Sequence, residues 1–167
     1  SVPCMFSMLD RDNYSHAKAK NMSNVLDLIS QAGASVIWLE NNSSSKSVAD
    51  RIEFQDYRSS ENNPICNPEC RDEGMLINLQ NYINEQNKRD TLIVLHTMGS
   101  HGPAYYKRYP EAFEVFKPVC KTNQLNECSK EQISNAYDNT ILYTDYFLSQ
   151  VIELLKRNSQ ESDTAMF

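Results

Sequence analysis

His96-Thr97-Met98-Gly99-Ser100-His101-Gly102-Pro103-Ala104-Tyr105-Tyr106-Lys107-Arg108-Tyr109-Pro110 follows the apolar run Thr91-Leu92-Ile93-Val94-Leu95. The run predicts a buried strand. Behind it comes a loop with two histidines, two glycines, two cations and three tyrosines. Ligands in open α/β sheets bind beyond the carboxyl ends of the strands, so this loop marks the functional edge of such a sheet. His96, at the strand end, reads as a satisfied core residue. His101 lies between Gly99 and Gly102-Pro103, where the chain must turn and no apolar neighbour holds the ring. It reads as a site residue.

The flanking sequence extends the pattern. Residues 22–32 predict a helix, with Met22, Val25, Leu26, Leu28 and Ile29 near helical spacing and Gly33 as its stop. Residues 34–39 predict a second buried strand. It empties into Glu40-Asn41-Asn42-Ser43-Ser44-Ser45-Lys46, a polar loop on the same sheet edge as the His101 loop. Residues 48–70 read as irregular. Residues 72–87 predict a helix with Met75, Leu76, Leu79, Tyr82 and Ile83 on one face, and Lys88-Arg89 solvate its end. Residues 111–116 predict a short helix. Residues 130–158 predict the longest helix, with Ile133, Tyr137, Ile141, Leu148, Val151, Ile152 and Leu155 as a core stripe. Residues 164–167 read as the beginning of another strand. This alternation predicts an α/β fold, a mostly parallel sheet covered by helices. Two full strands are too few to stand alone, so the 167 residues read as part of a larger domain.

Sixteen basic against 22 acidic residues leave a net charge of −6. Broad nucleic-acid binding needs a basic face and is not expected. Arg51, Lys88-Arg89 and Lys107-Arg108 are the dense cationic spots. No apolar run reaches the roughly 20 residues of a membrane helix, and no signal peptide is visible. Cys66 and Cys70 flank Asn67-Pro68-Glu69, and Cys120 and Cys128 bracket seven polar-rich residues. No histidine lies near either pair, so two local disulfides are favoured over a zinc site, and they imply an oxidising compartment. Cys4 is left over and suggests a partner outside the chain.

Ser1-Val2-Pro3-Cys4-Met5-Phe6-Ser7, Asn41-Asn42 with Ser45-Lys46, Cys70-Arg71-Asp72, His96 through Tyr109 and Ala136-Tyr137-Asp138-Asn139 occur in this order along the chain. Together they resemble the periplasmic catalytic domain of the lipid A phosphoethanolamine transferases, which include the mobile colistin-resistance enzymes. The resemblance implies an alkaline-phosphatase/sulfatase-like α/β/α sandwich, incomplete here, at the periplasmic face of the bacterial inner membrane. It implies transfer of phosphoethanolamine from phosphatidylethanolamine to lipid A by a zinc-activated threonine, and polymyxin resistance as the result. Residues 1–167 would be the central part of one catalytic domain, acting as a monomer. The transmembrane domain that makes the membrane contact, the nucleophilic threonine, the cysteine partner of Cys4 and the primary zinc ligands would all lie outside it. Asn42, Ser43, Lys46 and His101 would form the substrate-side wall, with His101 approaching either the phosphoryl group or a second zinc.

Two other readings share these residues. One is a disulfide-stabilised α/β module without chemistry. The other is a different hydrolase of the phosphatase/sulfatase superfamily, since a fold does not dictate its substrate. On the transferase reading, the chain alone has neither activity nor a tight primary zinc site.

Overall fold

The computed structural model describes residues 2–86 and 89–167. Ser1, the last residue of the helix expected over 72–87 and the Lys88 half of the cationic pair lie outside the described residues. Strand β1 (Ser35–Glu40) is central. It pairs in parallel with β2 (Glu53–Asp56) on one side and with β3 (Thr91–His96) on the other. The registers Ile37 to Glu53 and Ser35 to Thr91 carry all three carboxyl ends to one edge, with Glu40 facing Asp56 and His96.

A central parallel strand must be covered on both faces. Ile37 and Leu39 pack with Tyr57, Met75, Leu79, Phe147, Val151 and Leu154. On the opposite face, Val36 and Trp38 pack with Leu26, Val48 and Ala49. The first layer is built from α4 (Leu79–Glu85), the 3-10 turn Asp72–Leu76 and the long α5 (Lys130–Asn158). The second is α3 (Val25–Gln31), joined by the short α1 (Val2–Met5) and α2 (His16–Lys20). This is an α/β/α arrangement.

Capping sets two helix starts. Asn24 accepts from the N–H of Leu26 and Asp27, while the Asp27 carboxylate accepts from the Asn24 N–H. Ser129 and Gln132 close the same reciprocal box on α5, and such boxes satisfy otherwise orphaned donors. Asp27 also takes Arg51 Nη2 at 2.5 Å and Nε at 3.0 Å. Arg51 is therefore structural rather than a site cation. Burial pushes the Asp27 carboxyl up, but Arg51 and the Asn24 N–H outweigh it, so it sits below its ordinary value. A depressed carboxyl stabilises the fold above its unfolded pKa, and that stability is lost as pH falls through the folded value. Asp27→Ala is expected to cost about 1–2 kcal/mol at pH 7. The gap to the parent should narrow below about pH 4. Urea midpoints across pH check this, and a gap that stays constant would refute it.

Both expected disulfides form, Cys66–Cys70 and Cys120–Cys128, while Cys4 is a free thiol here. Closing such short loops stabilises by about 2 kcal/mol each.

The structure corrects several expectations. The segment 48–70 contains strand β2. Its first two residues, Glu53 and Phe54, are exposed on opposite faces, and its sequence lacks the apolar run of a core strand. β3 is half-exposed along its whole length rather than buried, because it lies at the edge of the described sheet. The helix over 72–87 is split into a 3-10 turn and α4. The short helix over 111–116 is a 3-10 turn, Glu111–Phe113. Residues 163–167 form no strand. In α5 the span is as expected but the face is rotated. Ala136, Asn139, Thr140, Tyr143, Phe147, Val151 and Leu154 are buried, whereas Tyr137, Ile141, Leu148 and Ile152 are exposed. The helix carries two apolar stripes one residue apart, and the aromatic one packs inward.

Candidate functional site

Loops from the ends of all three strands meet at the carboxyl edge. Two buried carboxylates organise them. Glu40, fully buried at the end of β1, accepts from Trp38 Nε1 at 3.1 Å and from the Asn42 N–H at 2.7 Å. His96 Nδ1 lies 2.9 Å from both of its oxygens, and the imidazole packs edge-on against Trp38 at 5.1 Å. His96 is thus held in the fold.

Asp72 is the second. Its Oδ1 accepts from Asn41 Nδ2 and the Met98 N–H, both at 2.8 Å, and its Oδ2 from the Gly99 N–H at 2.9 Å. Gly99 takes φ +48°, a left-handed conformation that glycine adopts without side-chain penalty. Burial pushes the Asp72 carboxyl above its ordinary value, against the opposing pull of Asn41, Gly99 and Met98. One carboxylate therefore ties the loop after β1 to the loop after β3. Asn42 adds a second tie, Nδ2 to Thr97 O at 2.9 Å.

The four residues expected at the substrate wall do not share one pocket. Asn42 lines a cleft at the sheet edge. Ser43 gives its carbonyl to Arg58 Nη1. Lys46 instead lines a groove with Pro3, Ser7, Lys20 and Asn24. Lys46 and Ser47 both hold left-handed backbone, φ 54° and 68°, a conformation costing roughly 1–2 kcal/mol per non-glycine residue. Strain of this kind concentrates at functional sites. His101 stands exposed on its turn, with Nδ1 against the Gly102 carbonyl at 2.9 Å.

The cleft beside Asn42 has a volume of about 220 Å³, and four cations line it: Arg58, Arg71, Lys107 and Arg108. Asp56 pairs with Arg58 at 2.5 Å, and Glu69 with Lys107 at 2.9 Å. Arg71 Nη1 donates to Lys107 O, and Arg108 Nε to His101 O, each at 2.8 Å. Among the described residues, Arg71 and Arg108 form no ion pair. The Arg71 backbone is clamped by Asn63, whose Nδ2 donates to Tyr57 O and Arg71 O at 2.9 Å. That amide occupies the space over Gly74, where a Cβ would meet Asn63 Oδ1 at 1.9 Å. In the sequence Lys107-Arg108 stands out as a cationic spot, whereas Arg58 reaches the same cleft through β2 and Arg71 through the neighbouring Cys66–Cys70 bridge and the Asn63 clamp, neither of which local pattern reveals.

The profile of the sulfatase family matches residues 1–167. The chain belongs to the sulfatase family. Among relatives, it is 48% identical to phosphatidylethanolamine transferase Mcr-1 of Escherichia coli and 47% identical to Mcr-2 of the same organism. Each alignment covers 99% of this chain and 32% of that protein, so the chain spans about a third of the length of these relatives. The fold matches the integral membrane protein lipooligosaccharide phosphoethanolamine transferase A from Neisseria meningitidis with TM-score 0.87 and 43% identity, over 95% of this chain and 30% of that one. It matches the C-terminal periplasmic domain of phosphoethanolamine transferase EptC from Campylobacter jejuni with TM-score 0.81 and 41% identity, over 95% and 48%. The expected sulfatase-like α/β fold is therefore the fold of this sulfatase-family chain.

Zinc sites are built from three or four ligands. Among the described residues, no three His, Cys, Asp or Glu side chains gather. Residues 2–86 and 89–167 do not by themselves fit a zinc ion, and no chemical step is assigned to one.

Proposed function

We propose that residues 1–167 are the central part of one catalytic domain in a lipid A phosphoethanolamine transferase at the periplasmic face of the bacterial inner membrane, conferring polymyxin resistance. On this reading the nucleophilic threonine, its activating zinc and the membrane domain belong to sequence outside residues 1–167. The threonine Oγ attacks the phosphorus of phosphatidylethanolamine. The ester bond to diacylglycerol breaks, and diacylglycerol leaves with the proton. A lipid A phosphate oxygen then attacks the phosphorus of the phosphoethanolamine–threonine ester, the P–Oγ bond breaks, and the threonine oxygen takes a proton from the acceptor phosphate or from water, which restores its hydroxyl.

The observation that carries the reading is the shared edge. The loops bearing Asn42 and His101 leave parallel neighbours β1 and β3 at the same end and are fastened by Asp72. Asn42 offers a hydrogen bond to a phosphoryl oxygen or an ammonium. Lys46 supplies a point charge for phosphate. It borders the groove beside Pro3 and Ser7, next to the segment where the family resemblance places the threonine. His101 is free to turn its second ring nitrogen toward the phosphoryl group. Among the described residues no helix is long and apolar enough to cross a membrane.

The test is expression of the full-length protein in a polymyxin-sensitive bacterium. Lipid A should gain the mass of phosphoethanolamine, and polymyxin tolerance should rise. Unmodified lipid A at verified protein levels would refute the proposal.

A further inference from the structure

We propose that the cleft lined by Arg58, Arg71, Lys107 and Arg108 binds the phosphate monoester of the acceptor glycolipid, with Arg71 and Arg108 as the groups that touch it. This rests on the transferase reading above and names the place of its second substrate.

Charge is the first argument. Two of the four cations are neutralised, Arg58 by Asp56 and Lys107 by Glu69. Arg108 lies within reach of the Asp72 charge but forms no ion pair with it, because the Asp72 oxygens accept from Asn41, Met98 and Gly99. Arg71 and Arg108 each use one nitrogen on a backbone carbonyl and keep the rest of the fork. A guanidinium fork matches two oxygens of a phosphate at once.

The second argument separates acceptor from donor. A phosphate monoester carries about −1.5 to −2 charges near neutral pH. The donor is a phosphodiester with one negative charge and its own ammonium, which two guanidiniums without an ion pair would repel.

The third is placement. Arg108 holds the carbonyl of His101, and Asn42 lies in the cleft wall. An acceptor phosphate seated there lies beside the loop assigned to the donor phosphoryl group. Arg71 is fixed in advance by the Cys66–Cys70 bridge next to it, by its N–H to Ile65 O at 2.9 Å and by Asn63.

The test measures both substrates in the full-length transferase. Arg71→Ala should raise the KM for phosphorylated lipid A at least tenfold while the KM for phosphatidylethanolamine moves less than twofold. Arg71→Lys keeps the charge but not the fork and should fall between, with the parent's melting temperature. Inorganic phosphate should compete with the acceptor in the parent and about tenfold less well in Arg71→Ala. Equal rises in both KM values would overturn the acceptor assignment. So would a lost phosphate competition with an unmoved acceptor KM, which would mark a site for the free ion. An acceptor KM that stays put in an active enzyme overturns the cleft assignment alone. A parent that transfers nothing overturns the functional reading and the acceptor assignment together.

Discussion

Asp72→Ala is expected to lower stability by about 3 kcal/mol and to abolish most transfer in the full-length enzyme. The carboxylate is buried and serves three donors from two loops: Asn41 Nδ2, Met98 N–H and Gly99 N–H. Removing it strands all three, and each orphaned buried donor costs on the order of 1 kcal/mol or more. The loop after β3 then loses its anchor at the point where Gly99 turns toward His101. Asp72→Asn separates the two consequences. Its carbonyl oxygen can keep Asn41 and Met98, but its NH2 faces the Gly99 N–H. A smaller stability loss of about 1 kcal/mol is expected, with transfer still impaired. Urea unfolding and lipid A mass spectrometry read the two separately. A parent-like midpoint for Asp72→Ala would show that the loops do not depend on it.

His101→Ala and Lys46→Ala, each in the full-length enzyme, should reduce lipid A modification roughly tenfold or more. One positioned charge-assisted contact is worth about 1.5–3 kcal/mol. Neither side chain makes a hydrogen bond that holds the fold together: His101 touches its own neighbour Gly102, and Lys46 is exposed at its groove. Stability should therefore stay near the parent's while activity falls. Lys156→Ala is the reference, since among the described residues Lys156 pairs with Glu153 alone, on the solvent side of α5. If the His101 and Lys46 variants match Lys156→Ala at equal protein levels, those two residues are not in the substrate wall.

Much of the fold was legible from local pattern. Strand β3 begins where the apolar run does and ends one residue past it, at His96, and β1 is displaced by one residue. α5 runs over the expected span because Ser129 caps its start and its periodicity is unbroken. What escaped was set by tertiary packing. β2 is four residues long and borrows its order from the β1 ladder, so Glu53-Phe54-Gln55-Asp56 carries little signal of its own. The buried face of α5 depends on which stripe meets Met75 and Leu39, and two neighbouring stripes were apolar enough to qualify. At the site, the two loops and His101 could be read from strand ends and turn residues. Asp72 and Arg71 could not, because their partners lie 26 to 36 positions away in sequence.

The edge position of β3 also bears on how this chain behaves in solution. Its inner edge is laddered to β1, and among the described residues no strand pairs with the outer one. A row of unpaired backbone donors and acceptors on a six-residue, strongly β-forming strand is a template for a second copy. Thr91-Leu92-Ile93-Val94-Leu95 carries no charge and no proline to discourage that pairing. A lysine at an exposed position of β3 would be the natural gatekeeper against such pairing.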